Sequence, residues 1–259
     1  FPALAYVLFE NVPFSNYGRW YSLAYPFLAA FLLVGGFGLE GITTDKFGGF
    51  MLNLVAGLSG IFFSLPIGIL LALGRRSKLP AVRLLSVTFI EFIRGVPLIT
   101  LLFVAIIILQ LFLPPNVSLD QLVRVMIMIT LFASAYMAEV FRGGLQSIPI
   151  GQFEASRAIG MSYWKMMGYI ILPQAIRNSI PALMNTCIMI FKETTIVMLI
   201  GFSDLLGIIQ LSLESSDWIG PPHIFSSAYT FAALIYFIFT FGMSKYSRRL
   251  ENRSNIEQQ

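Results

Sequence analysis

One cysteine, one histidine and a thin supply of charge exclude most enzyme classes for this chain. The lone Cys187 lies inside a hydrophobic run, so no disulfide framework exists. His223 stands alone beside Pro221 and Pro222, far from any cluster of metal-ligand residue types. No nucleophile–base set and no glycine-rich phosphate loop can be found in the sequence. Charged residues make up 12% of the chain, against about 25% in soluble domains. A net charge of +4 is small and locally distributed, which argues against nucleic acid as a partner.

What the chain does have is apolar length. It is 57% hydrophobic, with a mean hydropathy of +0.79. Long hydrophobic runs recur, and about 20 apolar residues suffice to cross a bilayer core. Spans are expected at about Leu23–Leu39, Phe50–Leu73, Leu84–Leu113, Leu122–Phe141, Gln174–Ile200 and Phe225–Met243. The third and fifth are too long for one straight crossing. Continuous runs favour helices over the short alternating segments of a membrane barrel. Residues Phe1 to Tyr21, broken by Pro2, Asn11, Pro13, Asn16 and Arg19, read as an interfacial segment, the end of something longer. Ala56, Gly60, Ser64, Gly68 and Ala72 form a small-residue stripe and predict a close helix–helix contact. Ser118-Leu119-Asp120-Gln121 predicts a capping box opening the fourth span. Pro66, Pro97 and Pro181 are expected to kink their spans.

Charge distribution predicts the orientation. Arg75, Arg76, Lys78 and Arg83 share one connection; Arg142, Arg157, Lys165 and Arg177 surround a polar interruption; Lys245, Arg248, Arg249 and Arg253 follow the last span. These segments hold 12 of the 17 Lys and Arg residues. The stretches 114–120 and 203–224 hold none. The positive-inside rule places the basic segments in the cytoplasm.

The polar interruption has an ordered pattern. Glu154-Ala155-Ser156-Arg157-Ala158-Ile159-Gly160 reads as a short helix stopped by glycine. Nine residues later comes Ile170-Ile171-Leu172-Pro173, read as a turn and a proline at the mouth of the next helix. This spacing resembles the cytoplasmic motif of permease subunits in binding-protein-dependent ABC importers, with Ser156 where a second alanine is usual. Phe92-Ile93-Arg94-Gly95-Val96-Pro97-Leu98-Ile99, the run Ser134 to Pro149, and Lys192-Glu193-Thr194-Thr195-Ile196-Val197 are similar to the polar amino-acid permeases. Phe241 to Glu251 is similar to the general L-amino-acid permeases. The likeness covers about Gly48 to Glu251.

The resemblance implies an all-α integral membrane protein: a type I ABC importer transmembrane domain of five core helices plus an extra N-terminal helix. It divides the chain into an N-terminal segment at 1–47, a permease core at 48–251 with coupling helices at about 143–172, and a cytoplasmic tail at 252–259. It implies a multi-pass protein of the bacterial cytoplasmic membrane, a permease rather than an enzyme. The implied partners are an ABC ATPase dimer, a second permease subunit (a paralogue in this subfamily), an external solute-binding protein and an amino-acid substrate. ATP and Mg would be bound by the ATPase, with no cofactor in this chain. Glu154, Ala155, Ser156, Arg157 and Gly160 would form the ATPase-coupling element. Ala155 and Ser156 would permit close seating, Gly160 a sharp turn, and Glu154 a cap or ion pair at the helix start.

Ionisable residues within spans are further candidates. Glu91 with Arg94, and Glu139 with Arg142, are spaced to pair on one helix face. Lys192 and Glu193 lie roughly 28 Å beyond Pro173 along a helix. There, with Asn185, Thr194 and Thr195, they are expected to face a substrate pathway. Adjacent Lys192 and Glu193 offer a cation and an acceptor to a zwitterion, or a salt bridge holding a bend. A secondary transporter is the competing class; broken helices fit it, but no internal repeat is visible.

Overall fold

A computed structural model describes residues 37, 44–112, 114, 119–215 and 223–256. Contacts divide the chain into two units, Phe1–Phe47 and Gly48–Gln259. In the first, the described residues include a 3-10 turn at Thr44–Lys46, closed by a hydrogen bond from Phe47 N to Thr44 O at 3.1 Å. The expected Leu23–Leu39 span and the Phe1–Tyr21 segment lie outside the described residues, apart from Phe37.

Helices make up most of the described residues of the second unit. Its elements are α1 (Gly49–Arg75), α2 (Pro80–Gly95), α3 (Leu98–Leu111), α4 (Gln121–Gln146), α5 (Ile150–Ala158), α6 (Tyr163–Ile200), α7 (Leu205–Glu214) and α8 (Ile224–Ile256). Four of them, α1, α4, α6 and the Ile224–Glu251 part of α8, are long and apolar enough to cross a membrane. The pair α2 and α3, bent by 107°, is long and apolar enough only when taken together, as a broken span or a re-entrant loop. Pro97 stands at that bend, so the expected break falls where the sequence placed it. Pro66 and Pro181, by contrast, lie within continuous α-helix.

The small-residue stripe does what its spacing predicted. Ala56, Gly60, Ser64, Gly68 and Ala72 are all buried, and α1 packs along α4. A Cβ on Gly68 would lie 2.7 Å from Met137 Cβ, and one on Gly60 would lie 2.8 Å from Ile129 Cγ2. Lipid tails give helices no hydrophobic reason to associate, so this close approach supplies the packing that holds them.

Two expectations need correction. Asp120 caps α4: its carboxylate accepts from Leu122 N at 2.8 Å and Val123 N at 3.3 Å, while Ser118 of the expected capping box lies outside the described residues. An ionised carboxylate at the N-cap satisfies two orphan donors by itself. Pro173 does not open a new helix. The helix α6 begins at Tyr163 and passes through Pro173 after a π-helical turn at Met167–Ile171. The wider turn accommodates a proline that lacks the N–H of a regular ladder.

Candidate functional site

The helix α5 leaves the basic end of the bundle in a polar loop. Pro149 precedes it in extended conformation, so it begins one turn before Glu154. Glu154 therefore sits in the second turn, exposed and without an ion pair among the described residues, and the expected cap at the helix start is not formed. The glycine stop is formed. Gly160 has φ +75°, a left-handed conformation that costs side-chain-bearing residues about 1–2 kcal/mol. Around it, Ile159 N, Gly160 N and Met161 N donate to Ala155 O, Arg157 O and Ser156 O at 3.2, 2.9 and 3.1 Å. These bonds close the final carbonyls of α5.

Ser156 is buried and Ala155 is exposed. Ser156 is 2% exposed, and its hydroxyl donates to Gln152 O at 2.6 Å. Ala155 and Arg157 are exposed. The seat beneath α5 is polar and aromatic: Arg76 lies 5.7 Å above the Phe153 ring and donates to Leu145 O at 3.1 Å. Gln174 of α6 reaches Gln152 at 3.4 Å. Around α5, Ile150, Ile159 and Trp164 are 75%, 74% and 74% exposed. Large apolar side chains this exposed on a polar loop mark a surface that awaits a partner.

A cluster of charge lies at the same end of the bundle. Glu139 of α4 is its centre. Arg75 Nη1 approaches Glu139 Oε1 at 2.6 Å, Arg142 Nη2 approaches Oε2 at 2.9 Å, and Arg94 Nη1 stands 3.7 Å from Oε2. Arg75 also pairs with Glu91 at 3.0 Å. The Glu139–Arg142 pair is thus present, whereas the expected Glu91–Arg94 pair is replaced: Glu91 takes Arg75 from α1, and Arg94 turns to Glu139. Sequence spacing within α2 could not reveal Arg75, because the contact is made between helices.

Arg94 also borders a cavity of about 350 Å³ at the α2–α3 break. Gly95, Val96, Pro97 and Leu98 form one side of it, Phe132 and Tyr136 of α4 another, and Met189 and Glu193 of α6 a third. The Arg94 guanidinium lies 5.5 Å from the Tyr136 ring centroid. The five polar residues expected to share the pathway are divided by the helix. Glu193 lines the cavity. Asn185 and Lys192 are exposed elsewhere on α6. Successive helical residues point about 100° apart, and Lys192 is not among the residues lining this cavity. Thr195 donates to Lys192 O at 2.9 Å.

Thr194 is fully buried in a network that the sequence did not signal. Asn53 Nδ2 donates to Thr194 Oγ1 at 3.2 Å and to Asp204 Oδ2 at 3.1 Å. Asp204 Oδ1 accepts from Gly207 N at 2.8 Å, and Asn53 Oδ1 accepts from Leu205 N at 3.2 Å. The Tyr236 hydroxyl lies beside Asp204 and Asn53 without meeting strict hydrogen-bond geometry. The network joins α1, α6, α7 and α8. The clue available was Asn53 itself, one polar residue amid an apolar run.

Residues 64–254 match the family described as "Binding-protein-dependent transport system inner membrane component". The inner membrane amino-acid ABC transporter permease protein YhdY of Escherichia coli is 49% identical over 91% of the chain. The glutamate/glutamine/aspartate/asparagine transport system permease protein BztC of Rhodobacter capsulatus is 48% identical over 90%. The chain spans 64% and 54% of the lengths of these two relatives. A crystal structure titled as an amino acid ABC transporter with histidines shares 28% identity and superposes with a TM-score of 0.68, covering 89% of this chain and 97% of that one.

Proposed function

The chain belongs to the binding-protein-dependent transport system inner membrane component family, and on that premise we propose that it is the transmembrane subunit of an ATP-driven importer of amino acids. It is a multi-pass membrane component. ATP is hydrolysed in a separate ATPase dimer, a second permease subunit (a paralogue) completes the pathway, and an external binding protein delivers the substrate. The basic end is cytoplasmic, which puts α5 on the side where ATP is available.

The observation that carries this reading is α5 itself: a short, glycine-closed helix with Ser156 buried and with Ile150, Glu154, Ala155 and Arg157 exposed on its surface. A rigid element held to the bundle by Arg76 over Phe153 and by Gln174 against Gln152, with Ser156 buried, can pass a push from the ATPase into the spans. Glu154, Ala155, Arg157 and Gly160 stand on or beside its open surface. Ile150, Ile159 and Trp164 supply the apolar contact.

The experiment uses the full-length protein expressed with its neighbouring transport subunits. A tagged chain should copurify a Walker-type ATPase, and Ile159→Asp with Trp164→Asp should release it. Retention of the ATPase by that double variant would remove α5 as the docking element. No ATPase in the wild-type preparation would remove the importer reading.

A further inference from the structure

Three cations near the end of α8 share one exposed face, and the rest of that face points to their ligand. We propose that Lys245, Arg248 and Arg249 form a headgroup site for anionic phospholipid of the cytoplasmic leaflet, with the acyl chains lying along the apolar stripe that leads to them. The inference needs only that the basic end is cytoplasmic, and it goes beyond the importer reading.

Length sets the depth of the three residues. The helix α8 runs for 33 residues, about 50 Å, against a hydrocarbon core of about 30 Å. Its apolar stretch ends at Met243. Lys245 to Arg249 therefore lie about 3–9 Å past that point along the axis. The headgroup layer occupies about 5–8 Å on each side of the core. The cations thus stand at the depth of lipid phosphates.

Periodicity sets their direction. Ala232, Met243, Ser247 and Leu250 are buried and share one side of α8, which packs against α6 and α7. The opposite side carries Leu234, Ile238, Phe241, Lys245, Arg248 and Arg249 at spacings of three and four, and all six are exposed. Among the four continuous spans, α8 is the least buried. Its open side is apolar as far as Phe241 and cationic beyond, the order in which a lipid presents tail and phosphate. A subunit docked beneath the bundle would meet the end of α8 rather than its flank. Residues Ile224 to Ser244 hold no Lys or Arg. The asymmetry selects the cytoplasmic leaflet, whose surface potential is negative.

Charge sets the ligand. None of the three cations enters an ion pair among the described residues. Glu251 is spaced to meet Arg248, yet it accepts from Ser247 Oγ at 2.9 Å. Lys245 is three and four positions from Arg248 and Arg249, so like charges crowd on one face. Such crowding disfavours a helix unless an anion sits between the charges. A lipid phosphate supplies that anion, and the two guanidinium forks give it directed donors.

The test places the assembled complex, built with the full-length chain, in phosphatidylcholine liposomes. These contain a small fraction of photoreactive phosphatidylglycerol, its diazirine close to the headgroup. After irradiation, labelled peptides are mapped by mass spectrometry. Label is expected between Leu234 and Arg249. It should fall when unlabelled phosphatidylglycerol replaces part of the phosphatidylcholine, but not when phosphatidylethanolamine does. The triple variant Lys245→Gln, Arg248→Gln, Arg249→Gln should lose label at least about tenfold. Arg248→Lys with Arg249→Lys, which keeps the charge, should retain most of it. If the triple variant does not assemble, competition on the wild type decides. Equal displacement by the two unlabelled lipids, or unchanged labelling of the triple variant, would overturn the proposal. So would an unlabelled α8, including one whose Lys245 is joined to another subunit by an amine-reactive crosslinker, which would assign the face to protein.

Discussion

Glu139 receives three guanidinium groups while remaining largely shielded from water. Removing its charge would leave Arg75, Arg94 and Arg142 crowded together with only Glu91 to balance them. Breaking a buried pair costs about 3–5 kcal/mol, and the partial exposure of these arginines lowers that figure here. Glu139→Gln should therefore depress the melting temperature of the detergent-solubilised protein clearly more than Arg142→Gln, which removes one of three partners. Equal shifts would show that Glu139 is not the centre of the cluster. At this scale the sequence was half legible. The i,i+3 spacing of Glu139 and Arg142 gave a true contact, because both lie on one helix face. The same spacing in Glu91 and Arg94 misled, because Arg75 comes from another helix and competes successfully. Gly160 was legible for a different reason: its φ of +75° is a local property, and glycine records it in the sequence.

At the scale of elements, α1 and α4 meet through backbone proximity rather than large side chains. Gly68→Ala would place a methyl group 2.7 Å from Met137 Cβ, so the helices must separate. Overpacking of this kind costs about 1–3 kcal/mol. Thermal unfolding in detergent should show Gly68→Ala as destabilised, and Gly151→Ala, where the added carbon meets nothing within 4 Å, as unaffected. Stability of Gly68→Ala equal to wild type would mean that the interface yields. The spans after Gly48 were readable because lipid enforces length; the α2–α3 break falls at Pro97, but Pro66 and Pro181 lie inside helices, so proline alone does not mark a break. The start of α6 was not readable. Its π-helical turn lets the chain pass Pro173 without breaking, and nothing in the local composition distinguishes that solution from a fresh helix start. The Asn53–Asp204–Thr194 network escaped notice because its members lie more than 140 positions apart in part, 141 between Asn53 and Thr194. Asn53→Leu should destabilise the α1–α7 junction by roughly 1–3 kcal/mol, since it leaves Asp204 and Thr194 short of a donor. Hydrogen exchange confined to α7 and the start of α1 would reveal that loss; unchanged exchange there would assign the network no structural weight.

The second unit is organised by sidedness: most of its basic residues and α5 gather at one end of the spans. Cysteines introduced at Ser77 and Ser162 should be shielded from an impermeant thiol reagent in intact cells, and one at Ser215 should react. The native Cys187 is buried and should give little background. The opposite labelling pattern would reverse the orientation and detach α5 from any cytoplasmic ATPase. Sidedness alone does not make a transporter, however. The central claim is that α5 converts ATP hydrolysis into movement of the spans. It is tested most directly by ATP-dependent uptake of labelled amino acids into proteoliposomes carrying the assembled complex, wild type against Gly160→Asp. Aspartate at Gly160 strains the turn that closes α5 and adds charge beside its open face. The account predicts ATP-dependent uptake by the wild type and its near-complete loss in Gly160→Asp, with the variant chain inserted in the membrane at normal levels. Wild-type uptake by Gly160→Asp would contradict it.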